Sequence, residues 1–150
     1  MVHREDIKNK IRKLFAAQKL AVLSTHQSGQ PYANLIAYVG SQDLKEIYFV
    51  TPRTTRKFDN LSADSRVAVL INSSLNTESD FHNAVAVTAL GNAEEVDGSE
   101  KVDILKRYLS KHPYLEAFAN APTCALVGIK ISSYVLVENF QHVMELSIDQ

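Results

Sequence analysis

The chemistry of this chain concentrates where a short strand gives way to a helix, at Thr51-Pro52-Arg53-Thr54-Thr55-Arg56-Lys57. Glu46 to Thr51 carries Ile47, Tyr48, Phe49 and Val50 and reads as a strand; Pro52 stops it. Thr54 or Thr55 then serves as N-cap of a helix that buries Phe58 and Leu61, which puts Arg56 and Lys57 in its first turn. A helix start presents unpaired N–H groups and about half a positive charge, so two more cations are unfavourable there unless an anion sits among them. A phosphate group resolves the conflict. Arg56 would hold it in fork geometry and Lys57 as a point charge, while the Thr51 and Thr55 hydroxyls and backbone N–H groups would donate to it. A solvated basic helix end is the other reading of the same residues.

Other chemistries find less support. The five histidines, His3, His26, His82, His112 and His142, show no HExxH spacing, no close pair and no cysteine partner, so no metal site is expected. There is no GxSxG elbow, and the lone Cys124 lies in the apolar run Cys124-Ala125-Leu126-Val127, where an inert buried thiol is expected. Glu94, Glu95 and Asp97 cluster at a strand end and read as a solvated rim. Without GxGxxG or a βαβ rhythm, any nucleotide is held by something other than a Rossmann loop.

The elements that must position the basic turn follow from periodicity. Ile7, Ile11, Leu14 and Phe15 mark an amphipathic helix over about Arg4 to Lys19. Leu20 to His26 and Pro31 to Val39 form a hairpin about Gln27-Ser28-Gly29-Gln30, and the second strand is apolar on both faces, as a central strand would be. Arg66 to Asn72 is a buried strand, and a polar loop from Ser73 to Asn83 follows. Ala84 to Val96 is a long strand bent at Gly91-Asn92. Ser99 is expected to cap a helix with Val102, Leu105 and Leu109 inward, ended by His112-Pro113, and Ala125 to Val137 supplies the last strand or pair. Strands outnumber helices and are joined by short turns, which predicts a mainly β (α+β) closed antiparallel barrel with helices outside it.

The chain has the length of one ordinary domain, residues 1–150, and 45% hydrophobic residues supply one core. A net charge of -1 leaves no general field to attract nucleic acid or anionic membrane, and no basic stripe interleaves with aromatics. No apolar run approaches the ~20 residues that span a bilayer, and the charged N-terminus lacks the apolar core of a signal peptide. With one cysteine, a reducing cytoplasm is the expected location.

The succession Ala21-Val22-Leu23-Ser24-Thr25, Gly29-Gln30-Pro31-Tyr32-Ala33-Asn34, Ile47-Tyr48-Phe49-Val50-Thr51, Thr55-Arg56-Lys57-Phe58-Asp59-Asn60-Leu61 and Val67-Ala68-Val69-Leu70 resembles the FMN-binding split-barrel family related to pyridoxamine 5'-phosphate oxidase. The resemblance is clear from about Leu20 to Val96. It implies a six-stranded antiparallel split β-barrel with flanking helices, a homodimer, and one FMN in each of two clefts lined by both subunits. Thr51, Arg56 and Lys57 match the family's grip on the FMN phosphate, and Asn34, Leu35, Ile36 and Ala37 match the strand that runs along the flavin. With Val50 and Thr55 these residues make up the implied cofactor-binding set. The substrate residues depart from the oxidases. The Arg and Lys that begin and end the flavin strand are Asn34 and Val39, the Tyr-xxx-Arg-Pro pattern becomes Tyr108 with His112-Pro113, and the Arg-x-His pattern aligns at best with Phe140 and His142. A neutral side chain does not replace a guanidinium fork on a phosphate. The expectation is therefore an FMN-dependent, reductase-type oxidoreductase for an unidentified small molecule, not a true pyridoxamine phosphate oxidase. A non-catalytic flavin sensor or carrier is the alternative. A haem-handling barrel with His82 or His142 as axial ligand is a third reading.

Overall fold

The computed structural model describes residues 3–150. Helix α1 (Arg4–Ala17) precedes strands β1 (Leu20–Gln27), β2 (Gln30–Gly40) and β3 (Glu46–Pro52); helix α2 (Arg56–Ala63) leads into β4 (Arg66–Asn72). A four-residue helix α3 (Asp80–Asn83) ends the segment predicted as a plain polar loop, because the Asp80 carboxylate accepts from the Leu75 and Thr77 backbone N–H groups and winds it up. Then come β5 (Val85–Glu95), α4 (Glu100–Lys111), a 3-10 turn at Pro113–Leu115, α5 (Glu116–Ala119), β6 (Cys124–Glu138) and β7 (His142–Ser147).

The strand order is β3-β2-β1-β4-β5-β6-β7, and β3 also pairs with β6. That extra pairing closes six antiparallel strands into the expected barrel and leaves β7 as a flap on β6. The β1–β2 hairpin turns through Ser28 (φ 53°) and Gly29 (φ 81°), the two positive dihedrals that a two-residue type I′ turn requires. The predicted bend in β5 is a register shift between Leu90 and Gly91, and a Cβ at Gly91 would lie 2.3 Å from the Lys130 carbonyl oxygen, so only glycine fits.

Two helices close opposite ends of the barrel. Ile7, Ile11, Leu14 and Phe15 of α1 are buried in the barrel core, beside the turn that carries Leu44. At the other end α2 adds Leu61 and Phe58 to that core, and the buried Asn60 amide donates to the Thr25 hydroxyl at 3.0 Å. β3 is buried on both faces: Ile47 and Phe49 point into the barrel, whereas Tyr48 and Val50 pack against Ile104 and Tyr108 in a second cluster under α4. The buried stripe of α4 therefore differs from the expected one. Ile104 and Tyr108 face inward with His112 after them, Leu105 and Leu109 lie at the flank, and Val102 is 59% exposed. Both stripes are compatible with helical spacing; the barrel surface selects the one whose Tyr108 hydroxyl reaches the Ala37 carbonyl, at 3.3 Å. Ser99 precedes the helix but its side chain makes no capping bond.

β2 is split in its company. Its first part pairs with β1 alone, and β3 joins it only at Tyr38, Val39 and Gly40. The edge from Tyr32 to Ala37 carries no strand, and Leu35 is 64% exposed where a doubly covered central strand was expected. On the outer surface the registers align Leu35, Val22, Leu70, Thr88 and Val135 in one cross-strand row that meets its first charged residue, Glu145, only on β7. No helix among the described residues is long and apolar enough to cross a membrane.

Candidate functional site

The basic turn forms as its residue types require. Thr55 is the N-cap of α2, in extended conformation, and its hydroxyl accepts from the Phe58 N–H at 3.3 Å. Thr51 continues the inward face of β3 to the rim of the barrel, where it is 0% exposed. Its hydroxyl lies 2.8 Å from that of Thr55, and both hydroxyls sit 3.1 Å from the Pro52 carbonyl oxygen. Strand end and helix start are thus bolted together, which fixes where the first N–H groups of α2 point.

Arg56 and Lys57 open the helix, and neither pairs with a carboxylate among the described residues. The Arg56 guanidinium carbon lies 5.3 Å from the centroid of the Tyr32 ring, a cation–π arrangement that joins α2 to β2. Lys57 is half-buried, and burial without a counter-ion pulls its ammonium below the usual lysine range. The neighbouring cation is different. Arg53 is held by Glu95, at 2.6 Å, and by the Pro122 carbonyl, at 2.9 Å, so its guanidinium is already engaged.

Beside this turn lies an open cleft of about 1020 Å³, lined by Arg53, Thr54, Thr55, Arg56, Asp59 and Asn60 on one side and by Gln27, Gln30, Pro31 and Tyr32 of the hairpin on the other. Of the residues expected to hold a cofactor, Thr55 and Arg56 line it. Thr51 stands behind Thr55, and Val50 is buried under α4. Asn34, Leu35, Ile36 and Ala37 form the unpaired edge of β2 next to Tyr32; Ile36 turns into the barrel core, and the Asn34 side-chain oxygen is buried without a hydrogen-bond partner. The lining residues Gln27, Gln30, Tyr32 and Asp59 were not singled out from the sequence. Asp59 was within reach of such reasoning, since it lies one helical turn beyond Arg56.

The positions that depart from the oxidase pattern are also placed. His112, expected to end the helix in place of the pattern's Arg, is 7% exposed; its Nε2 donates to the Tyr38 carbonyl at 2.7 Å, and burial with the nearby Lys111 and Lys19 charges lowers its pKa. Phe140 lies in the β6–β7 turn against Phe81, ring centroids 5.2 Å apart, and His142 is exposed on β7. Cys124 is buried, as expected. Among the described residues no group of three or more His, Cys, Asp or Glu could hold a metal ion.

A closed barrel, split along β2 and bearing a basic helix start at its rim, is a fold with known relatives. The family model described as Pyridoxamine 5'-phosphate oxidase matches residues 7–137, and the chain belongs to that family. Among solved structures, it resembles a heme binding protein from Mycobacterium smegmatis with a TM-score of 0.85 and 17% identity, over 97% of this chain and 60% of that one. A protein related to general stress protein 26 of B. subtilis (pyridoxinephosphate oxidase family), from Clostridium acetobutylicum, superposes with a TM-score of 0.74 and 12% identity over 98% of this chain and 97% of that one. A FAD-binding protein from Mesorhizobium loti matches with a TM-score of 0.68 and 17% identity over 85% and 90%. This chain therefore spans about 60% of the length of the M. smegmatis protein and nearly all of the other two. At these identities the likeness is one of fold. No curated protein matches the chain.

Proposed function

We propose that this chain binds a flavin through its 5'-phosphate at the start of α2, with FMN as the minimal ligand, and acts as a reductase-type oxidoreductase on a small molecule. The observation that carries the reading is the pair Arg56 and Lys57 at a helix N-terminus, neither of them paired with a carboxylate among the described residues although Asp59 shares the turn. An unpaired, half-buried ammonium is costly, and a phosphate would relieve it while accepting from the α2 N–H groups. The residues fit the cofactor elsewhere too. The strandless edge of β2 at Asn34 to Ala37 offers free backbone groups to the polar rim of a flavin ring, and the Asn34 oxygen awaits a donor. The names of relatives in the family support a flavin without choosing the substrate.

A bound flavin would supply hydride and electron chemistry at its ring, and this chain would supply the rest. Arg56 and Lys57 would anchor and neutralise the phosphate, Thr55 fixes the helix start, and the unpaired edge of β2 would meet the ring. Tyr108 and His112 hold the Ala37 and Tyr38 carbonyls and so keep that strand in place. The outer row Leu35, Val22, Leu70, Thr88 and Val135 suits a second copy of the chain, giving a homodimer with both subunits beside each cleft.

The test is the visible spectrum of the purified protein, followed by reduction with NADH or NADPH and an assay for pyridoxal phosphate formation. Flavin bands that bleach with a donor, without pyridoxal phosphate formation, are expected. Bands that no donor bleaches would favour the carrier reading. A Soret band would favour haem, although His82 and His142 line no part of the cleft described above. Rapid pyridoxal phosphate formation would overturn the assignment of His112 and Val39 as lost substrate contacts.

A further inference from the structure

A flavin mononucleotide lying along Asn34 to Ala37 with its phosphate at Arg56 leaves most of the neighbouring cleft unfilled. Whole small-molecule pockets run about 300 to 1,000 Å³, and a phosphate displaces only a few waters of about 30 Å³ each. This cleft is about 1020 Å³, and none of Asn34, Leu35, Ile36 or Ala37 lines it. It begins at Thr55 and Arg56 and runs outward to the hairpin tip at Gln27 and Gln30.

Its lining is not that of a second phosphate grip. Arg53 is engaged by Glu95 and Pro122, which leaves Arg56 as the free guanidinium of the wall. Asp59 is exposed and pairs with no cation among the described residues. A carboxylate there repels an anion but accepts from vicinal hydroxyls, as acidic residues do on ribose. Gln27 and Gln30 supply amides with both donors and acceptors, suited to a base edge. Tyr32 and the Arg56 guanidinium above its ring form a flat platform of the kind on which bases stack.

From this lining we infer that the outer cleft receives a second nucleotide, so that the chain takes a flavin dinucleotide of the FAD class in preference to FMN. The inference rests on the flavin reading above: Arg56 stands on the wall between the two halves, where a diphosphate would pass, and Asp59, Tyr32, Gln27 and Gln30 receive the nucleoside.

Calorimetric titration of the flavin-free protein with FMN and with FAD tests it. FAD is expected to bind at least about tenfold more tightly than FMN. Asp59→Ala should weaken FAD binding several-fold while leaving FMN binding unchanged or tighter, because a carboxylate near the phosphate has been removed. Gln27→Ala with Gln30→Ala provides a second variant on an exposed turn, and it should narrow the FAD advantage without touching FMN. Equal or tighter binding of FMN in the parent overturns the inference and leaves the flavin reading intact. Failure of a folded protein to bind either nucleotide removes both.

Discussion

His112 Nε2 donates to the Tyr38 carbonyl at 2.7 Å, across the junction between the end of α4 and the strand that borders the proposed flavin edge. The ring is buried, packs 5.0 Å from the Tyr108 ring, and feels Lys111 and Lys19 as its nearest charges. Burial and the two lysine charges disfavour a second proton, and only the Tyr38 bond favours it. The imidazole is a neutral strut, and a substrate phosphate finds no cation in it.

This strut makes stability depend on pH. The folded-state pKa of His112 lies below the ordinary value of about 6.5, so the unfolded chain binds the extra proton first as pH falls. Its contribution is present above pH ~6.5 and is lost progressively below it. Asp43 and Asp80, whose carboxyls sit below their usual range, titrate in a more acidic window. The unfolding temperature of the flavin-free protein should fall between pH 7 and 5. His112→Gln, which retains an amide donor, should flatten that slope; an unchanged slope would assign the pH dependence to another group.

Arg56→Ala and Lys57→Ala should each weaken flavin binding by roughly 10- to 150-fold, the equivalent of about 1.5 to 3 kcal/mol for a hydrogen bond to a charged group. Their effects on the empty protein differ. Arg56→Ala loses only an exposed contact with Tyr32, whereas Lys57→Met relieves a desolvated charge and should hold or raise the melting temperature. Titration and thermal melts of the three variants, run side by side, check this; parental flavin affinity in all three would move the phosphate elsewhere.

Thr55 serves the fold and the site together. Thr55→Ala removes the N-cap of α2, a loss of about 1 kcal/mol, and at this size a fall of about 2–4 °C in melting temperature. It also frees the start of α2 from Thr51, so flavin affinity should drop with it. Thr55→Ser keeps the hydroxyl and should restore both quantities, a pattern that a purely steric role for the threonine would not give.

The sequence pattern carried most of the barrel because breakers punctuate it: Gly29 in the hairpin, Pro52 at the end of β3, Gly91 at the bulge within β5. It carried the basic turn because Thr55, Arg56 and Lys57 are consecutive and their conflict with a helix start is local. The inner stripe of α4 was not legible, since Val102 and Ile104 are equally apolar and only the surface beneath selects between them. Burial of His112 was hidden for a related reason: the carbonyl it satisfies belongs to Tyr38, far away in the chain. The cleft escaped because Gln27, Gln30 and Asp59 are ordinary surface residues until the hairpin and α2 face each other.

The outer row of β-strand residues predicts self-association. Light scattering at micromolar concentration should give about twice the 16.7 kDa chain mass. Leu70→Glu, at the middle of the row between Val22 and Thr88, should yield a folded monomer. A parent that is monomeric and still holds flavin would place the whole cleft within one chain.

The pairing of β3 with β6 sets Thr51 opposite Ala125, so the rim of the proposed phosphate grip is built from chain segments that meet late. Contacts of such long range are slow to form, because loop closure must come before they stabilise anything. During synthesis β1 meets its hairpin partner β2 early, but β3 keeps one bare edge until β6 follows. A nascent chain halted before Cys124 would hold Arg56 and Lys57 without the seam that fixes their strand. Uptake of the proposed flavin would therefore report completion of the barrel, and refolding monitored by flavin uptake should lag behind the recovery of helical signal.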